Sequence, residues 1–153
     1  MLIASLLINA DNIRCKYDVC SSKKRVIENM SELLAANTES ISADAIYQGL
    51  LDRERLGTTG LGKGVAIPHA RISGISHTIA VMMTLDTPID YDAPDNKSVD
   101  IVFGLLVPED GNKNHLQNLA RLVTLFRDET ICKSIREYQN SEELFDFLLA
   151  IDD

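Results

Sequence analysis

The order of apolar periodicities along the chain predicts a mixed α/β domain. Helical spacing runs through residues 22–57, β-rich apolar runs fill 64–107, and helical spacing returns from 114 onward. A doubly wound fold would interleave these patterns. Helices, then strands, then helices point instead to a mixed sheet with helices packed on it. The 153 residues match the size of one domain, and a chain of that length buries a sizeable core without metals or disulfides. With no Trp and 5% aromatics, that core must be built from Leu, Ile, Val and Ala.

The first strong element is a helix over 22–36. Val26, Ile27, Met30, Leu33 and Leu34 share one face, and Ser22 is its N-cap. A second helix should begin near Ser42, carry Ala45, Ile46, Leu50 and Leu51 on one face, and stop by Gly57, with Arg53 and Arg55 in its last turn. The period then changes. Residues 64–67 read as a short strand stopped by Pro68, and 78–85 and 99–107 as longer strands, the second buried on both faces. Residues 86–98, acidic and holding two prolines, read as a loop or short edge strand. A helix follows over 114–127 with a stripe of Leu116, Leu119, Ala120, Val123 and Phe126. Shorter helices near 130–138 and 142–150 have Asp128 and Ser141 as caps.

Charge excludes one large class of function. Fifteen basic against 23 acidic residues give a net charge of −8, whereas a nucleic-acid binder needs a basic footprint. Three cysteines, Cys15, Cys20 and Cys132, form no CxxC pair and no disulfide framework. The longest apolar run, residues 101–107, falls far short of the ~20 residues of a membrane span, and residues 1–8 lack the basic flank of a signal peptide. The expectation is a soluble cytoplasmic protein with no membrane insertion and no nucleic-acid partner.

Three histidines could carry chemistry. His69 follows Pro68 where a strand gives way to a loop, a position from which α/β proteins commonly present reactive side chains. On position alone, completing a hydrogen-bond network is the commoner role for such a residue. Upstream, Gly57-Thr-Thr-Gly-Leu-Gly-Lys-Gly64 matches a phosphate-binding P-loop as far as Lys63, but Gly64 replaces the Ser/Thr that would hold Mg²⁺. A helix precedes this loop and a strand follows it, the reverse of what phosphate binding at a helix N-terminus needs. It reads as a glycine connector, or as a loop slim enough to let a partner protein approach His69. Cys15 and Cys20 with two histidines have no zinc-site spacing, and Asp86, Asp90, Asp92, Asp95 and Asp100 fit no calcium loop. Lys23-Lys24-Arg25 reads as the solvated start of a helix.

The segment Glu54-x6-Leu61-Gly62-x2-Val65-Ala66-Ile67-Pro68-His69-Ala70 resembles the phosphohistidine signature of EIIA domains of the mannitol/fructose type. These belong to the bacterial phosphoenolpyruvate-dependent phosphotransferase system. The resemblance extends from about Leu6 to Ile151 and is strongest to the nitrogen-regulatory branch. It is carried there by Cys20-Ser-Ser-Lys-Lys-Arg25, Arg53-Glu-Arg-Leu-Gly-Thr-Thr-Gly60, the block 87–96, the block 99–108 and His115-Leu-Gln-Asn-Leu119. Ala70 stands where relatives often carry Gly, a small-for-small exchange.

The resemblance implies a single domain over 1–153, with a mixed sheet of about five strands flanked by helices. It implies a phosphotransferase component without small-molecule turnover of its own. His69 would accept phosphate on Nε2 from an HPr-like phosphocarrier, Arg53 would stabilise the phosphoryl oxygens, and His115 would lend a supporting hydrogen bond. Regulated target proteins, such as transport or kinase regulators, would be the further partners. No cofactor and no metal are implied, since a phosphohistidine donor needs no Mg²⁺. The chemistry agrees: a histidine nucleophile must be neutral at one nitrogen, with the other held by an acceptor such as a backbone carbonyl. The planar guanidinium of an arginine suits the phosphoryl oxygens. A sugar-specific EIIA that passes phosphate to a separate EIIB is the alternative. A metal-dependent hydrolase built on His69, His77 and His115 is a distant third.

Overall fold

A computed structural model of the chain describes residues 3–18, 21–110 and 113–151; Met1 and Cys20 lie outside them. The described residues form six helices and six strands. The expected helices, strands and helices from residue 22 onward are present, while the helix Ile3–Leu7 and the strands Ile13–Tyr17, Gly60–Gly62 and His69–Ile72 are additions to that expectation. Helix α1 (Ile3–Leu7) leads through a 3-10 turn into β1 (Ile13–Tyr17), and α2 (Lys23–Ala35) and α3 (Ala43–Arg55) come next. The strands β2 (Gly60–Gly62), β3 (Val65–Ala66), β4 (His69–Ile72), β5 (Ile79–Ile89) and β6 (Val99–Pro108) precede α4 (Lys113–Phe126), α5 (Glu129–Glu137) and α6 (Ser141–Ile151). The expected caps hold α2 and α5: the Ser22 hydroxyl accepts from Arg25 N–H, and Asp128 from Thr130 and Ile131 N–H. α3 begins where expected and is capped by the Ser42 hydroxyl, which accepts from Ala45 N–H. For α6 the cap is Asn140, not Ser141. Its side-chain oxygen accepts from the amides of Glu142 and Glu143, satisfying two first-turn donors at once.

The sheet is mixed, in the order β1-β5-β6-β3-β2, with β4 also paired to β6. β5 and β6 run antiparallel, while β3 and β4 both run parallel to β6. Val65 pairs with Ile101 and Ala66 with Val102; beyond the break, His69 pairs with Leu105 and Ala70 with Leu106, at the same offset. Residues 65–72 therefore form one line along β6, interrupted at Ile67 and Pro68. Pro68 has no N–H to give a ladder, which ends β3 there. Six strands thus occupy five rows, in accord with the expected sheet of about five strands.

Alternation along the central strands divides the core between the two faces. Val81, Met83, Val102 and Leu106 pack under α2 and α3, against Ile27, Met30, Leu34, Ile46 and Leu50. Ala80, Met82, Ile101, Phe103 and Leu105 face α1, α4, α5 and α6, against Leu7, Leu122, Phe126, Ile135 and Leu148. Both faces are covered, and β6 is buried along nearly its whole length, as expected.

Several expectations are corrected. His69 does not end a strand: it begins β4. The glycine segment is not a plain connector, since Gly60–Gly62 pairs with β3. β5 runs on through Pro88 to Ile89. In α3, Ala45 is exposed, leaving Ile46 and Leu50 to carry the buried face. In α4, Leu116 and Ala120 are exposed, and Leu122 and Phe126 carry the buried face, with Leu119 packed beside them. Lys23 is no idle surface charge, for its ammonium meets the Glu54 carboxylate at 2.9 Å.

The β2–β3 turn is clamped from the other end of the chain. Arg136 bonds both oxygens of Asp100 through Nε (2.8 and 2.9 Å) and donates from Nη2 to the Lys63 carbonyl (2.9 Å). Gly64 has φ +83°, and a Cβ there would collide with Arg136 Nη2 and press on Asp100. Gly64→Ala should therefore lower unfolding free energy by about 1–3 kcal/mol, from left-handed backbone strain and a displaced clamp. A drop in the urea midpoint at unchanged m-value would measure it.

Candidate functional site

β4 has no partner on its outer side among the described strands, so α3 on one face of the sheet and α4 on the other both reach its edge. Between them lies a cleft of about 480 Å³, lined in part by Arg53, His69, Arg71, Thr78 and His115. The three residues singled out in the sequence therefore share one cavity.

His69 is set by the break in its own strand. Its Nδ1 lies 2.8 Å from the Ile67 carbonyl two residues back. A carbonyl can only accept, so the bond puts the proton on Nδ1 and leaves the lone pair on Nε2. The Ile67 amide is itself held by the Thr59 carbonyl at 3.0 Å, and Pro68 passes its own carbonyl to Leu105 N–H at 3.0 Å. The ring is thus anchored through backbone on both sides. Burial holds its pKa below the ordinary 6.5; the Ile67 bond opposes this, the Arg53 charge adds to it, and the Glu54 charge opposes it more weakly.

Arg53 reaches the cleft from the last turn of α3, where its Nη1 donates to the Gly57 carbonyl at 2.9 Å. That bond fixes one edge of the guanidinium and leaves its other donors for an anion. His115 sits in the first turn of α4, with Nδ1 2.8 Å from the Thr78 hydroxyl at the mouth of β5. Leu56 and Leu116 also line the cleft, 84% and 58% exposed, a large apolar side chain from each bordering helix.

Thr78 is a site residue that sequence reasoning missed, because at the head of a β-rich run a threonine reads as an ordinary strand former. Glu54 is another. In sequence it is only a position in the signature, yet its buried carboxylate accepts from Thr59 N–H and meets Lys23. His77 is not brought in; it is exposed, and its ring contacts the Ser76 hydroxyl. Among the described residues no three His, Cys, Asp or Glu side chains converge on a point that could hold a metal. Cys20 lies outside those residues. The acidic residues of 86–100 are employed separately, Asp95 on the amides of Lys63 and Lys97 and Asp100 on Arg136.

Residues 6–151 match the family model described as "Phosphoenolpyruvate-dependent sugar phosphotransferase system, EIIA 2". The chain belongs to that family. A "Nitrogen regulatory protein" of Escherichia coli (strain K12) is 42% identical over 145 residues, covering 94% of this chain and 88% of that protein. A "PTS system fructose-specific EIIA component" of Haloferax volcanii is 30% identical over 131 residues, 86% and 85% of the two chains. The crystal structure of the nitrogen regulatory protein IIA-Ntr from Neisseria meningitidis superposes with a TM-score of 0.86 at 35% identity, over 95% of this chain and 98% of that one. This EIIA chain is thus more similar to these nitrogen regulatory relatives than to the fructose-specific one. Among its described residues no helix is long and apolar enough to cross a membrane.

For this EIIA chain the ring chemistry has a direct readout. His69 should titrate with a midpoint below 6.5, staying in the Nδ1–H tautomer, as observed by ¹⁵N-detected imidazole shifts. Because the folded pKa lies below the unfolded one, the unfolded chain binds more protons between the two values. The stability contribution of His69 is therefore lost as pH falls through that window.

Proposed function

We propose that the protein is a phosphoryl carrier and regulator. His69 takes a phosphoryl group on Nε2 from an HPr-like phosphocarrier, and the phosphorylation state changes which target proteins are bound. The single observation that carries this reading is the Nδ1–Ile67 bond, which leaves Nε2 as the free nucleophile in a cleft shared with Arg53 and His115. The Nε2 lone pair forms the new P–N bond as the bond to the carrier's histidine breaks, that nitrogen keeping the electron pair. The proton stays on Nδ1, hydrogen-bonded to the Ile67 carbonyl, throughout.

Such transfer asks the protein for position and for charge on the equatorial oxygens. Arg53 supplies the charge. His115 adds one hydrogen bond in the tautomer whose Nδ1 accepts from the Thr78 hydroxyl, 2.8 Å away, since Nε2–H is then left to donate to a phosphoryl oxygen. Leu56 and Leu116 offer apolar landings for a protein partner on both sides of the acceptor. The higher identity to nitrogen regulatory relatives supports the regulatory role, and this reading implies a cytoplasmic protein working beside other soluble proteins. The fructose-specific relative favours a second reading, in which the phosphoryl group passes on to a sugar EIIB.

The decisive assay mixes the protein with phosphoenolpyruvate, the first enzyme of the system and an HPr-like carrier, and follows intact mass. Wild type should gain one acid-labile phosphate, His69→Ala none, and His115→Ala one, more slowly and on His69. Phosphate on His115 in the His69→Ala background would replace this reading with a two-histidine relay. Efficient onward transfer to an added fructose-type EIIB would favour the sugar-specific role.

Arg53→Lys keeps one charge but loses the planar fork of donors. Loss of a charge-assisted hydrogen bond of about 1.5–3 kcal/mol should slow transfer roughly 10- to 150-fold in quench-flow, with the acceptor residue unchanged. A wild-type rate would remove Arg53 from the mechanism.

A further inference from the structure

We infer that Glu54 and Lys23 form a positioning pair for His69, acting through a continuous run of hydrogen bonds from the start of α2 to the cleft. The inference rests on the reading of His69 as the phosphoryl acceptor.

Glu54 stands at the end of α3 with its side chain only 6% exposed. One oxygen meets Lys23 Nζ at 2.9 Å, and both oxygens accept from Thr59 N–H, at 3.1 and 3.2 Å. The Thr59 carbonyl accepts from Ile67 N–H at 3.0 Å, and the Ile67 carbonyl accepts from His69 Nδ1–H at 2.8 Å. Two residues, Thr59 and Ile67, thus separate the buried carboxylate from the imidazole, and each is bonded on both sides. Thr59 is fixed again through its hydroxyl, 3.2 Å from the Tyr91 phenol. Lys23 lies 4.6 Å above the centre of the same Tyr91 ring, so one cation closes the group from outside. Burial, and then the Glu54 charge, push the Tyr91 phenol well above its usual range, so it acts as a neutral hydroxyl.

The pair has two separable effects on His69. The first is geometric: Glu54 holds Thr59, Thr59 holds Ile67, and Ile67 selects the tautomer. The second is electrostatic. The charged and titratable groups facing His69 are Asp52, Arg53 and Glu54 from α3, Arg71 from its own strand β4, and His115 from α4. A negative Glu54 favours the imidazolium form, and Lys23 at 2.9 Å offsets that charge. Removing Lys23 should therefore make His69 more basic, while neutralising Glu54 should make it less basic.

Imidazole titrations by ¹⁵N NMR, on wild type, Lys23→Met, Glu54→Gln and Glu54→Ala, test the pair alongside phosphorylation time courses. Lys23→Met should raise the His69 midpoint and Glu54→Gln should lower it, both keeping the Nδ1–H tautomer, since Gln still offers Thr59 an acceptor. Glu54→Ala offers none; it should mix the tautomers and slow phosphoryl uptake at least roughly tenfold, with Gln restoring the rate at neutral pH. Opposite shifts are the signature, because a loosened structure would not move the two midpoints apart. Unchanged midpoints, or shifts of one sign, would overturn the inference. If Glu54→Ala does not fold, the Lys23→Met and Glu54→Gln titrations decide alone. Phosphate mapped to another residue in wild type would sink the carrier reading and leave the titrations to judge the hydrogen-bond run by itself.

Discussion

Everything at the cleft depends on the line of residues 65–72 being held against β6 on both sides of a gap. The pairing offset is the same before and after Ile67 and Pro68, so the gap is a local loss of ladder and not a change of register. Within it one carbonyl, that of Ile67, turns to the imidazole two residues on. Without the proline, an uninterrupted strand would have an N–H at position 68 to place. Without the pairing on either side, a two-residue gap would be a flexible loop, and the carbonyl would not be delivered to the ring.

The same edge position explains how two helices on opposite faces contribute to one site. α3 brings Arg53 and Glu54 from the side of the core that holds Ile46 and Leu50, while α4 brings His115 from the side that holds Leu122 and Phe126. Both can do so because β4 ends the sheet there. Local charge is opposite to that of the whole chain: the molecule carries a net −8, yet the cleft presents Arg53 and Arg71, with Asp52 already paired to Arg55 at 2.8 Å. A basic cleft on an acidic surface concentrates positive potential where an anionic group would arrive.

What could be read in the sequence follows from how local each signal is. Ser22, Ser42 and Asp128 announce helices because a cap lies beside the helix it serves; at α6 two adjacent capping residue types, Asn140 and Ser141, leave the cap ambiguous in sequence. The apolar runs of β5 and β6 are legible because burial on both faces leaves no polar interruption. β1 is not: its register slips between Arg14 and Tyr17, and Lys16 turns to φ +53° to give its N–H to the Thr84 hydroxyl. β2 and β4 are too short to show a period. At the site, His69, Arg53 and His115 were legible through a motif and through resemblance. Thr78 and Lys23 lie far in sequence from the residues they touch, and no local pattern encodes a hydrogen bond between Thr78 and His115 or an ion pair between Lys23 and Glu54.

The anchoring of His69 bears on how its state could be read by another protein. Under the carrier reading, gaining a phosphoryl group places roughly two negative charges on the oxygens held at one nitrogen. The surrounding backbone, pinned at Ile67, Pro68 and Thr59, has little freedom to answer by moving. The two forms of the molecule would then share one shape and differ in potential over a small patch bordered by Leu56 and Leu116. A partner seated on those leucines would sense sign instead of contour: the same apolar grip is acceptable or repelled according to the charge it must cover. The message would be electrostatic, carried on a rigid support, and legible to any partner whose own charge is placed opposite that nitrogen.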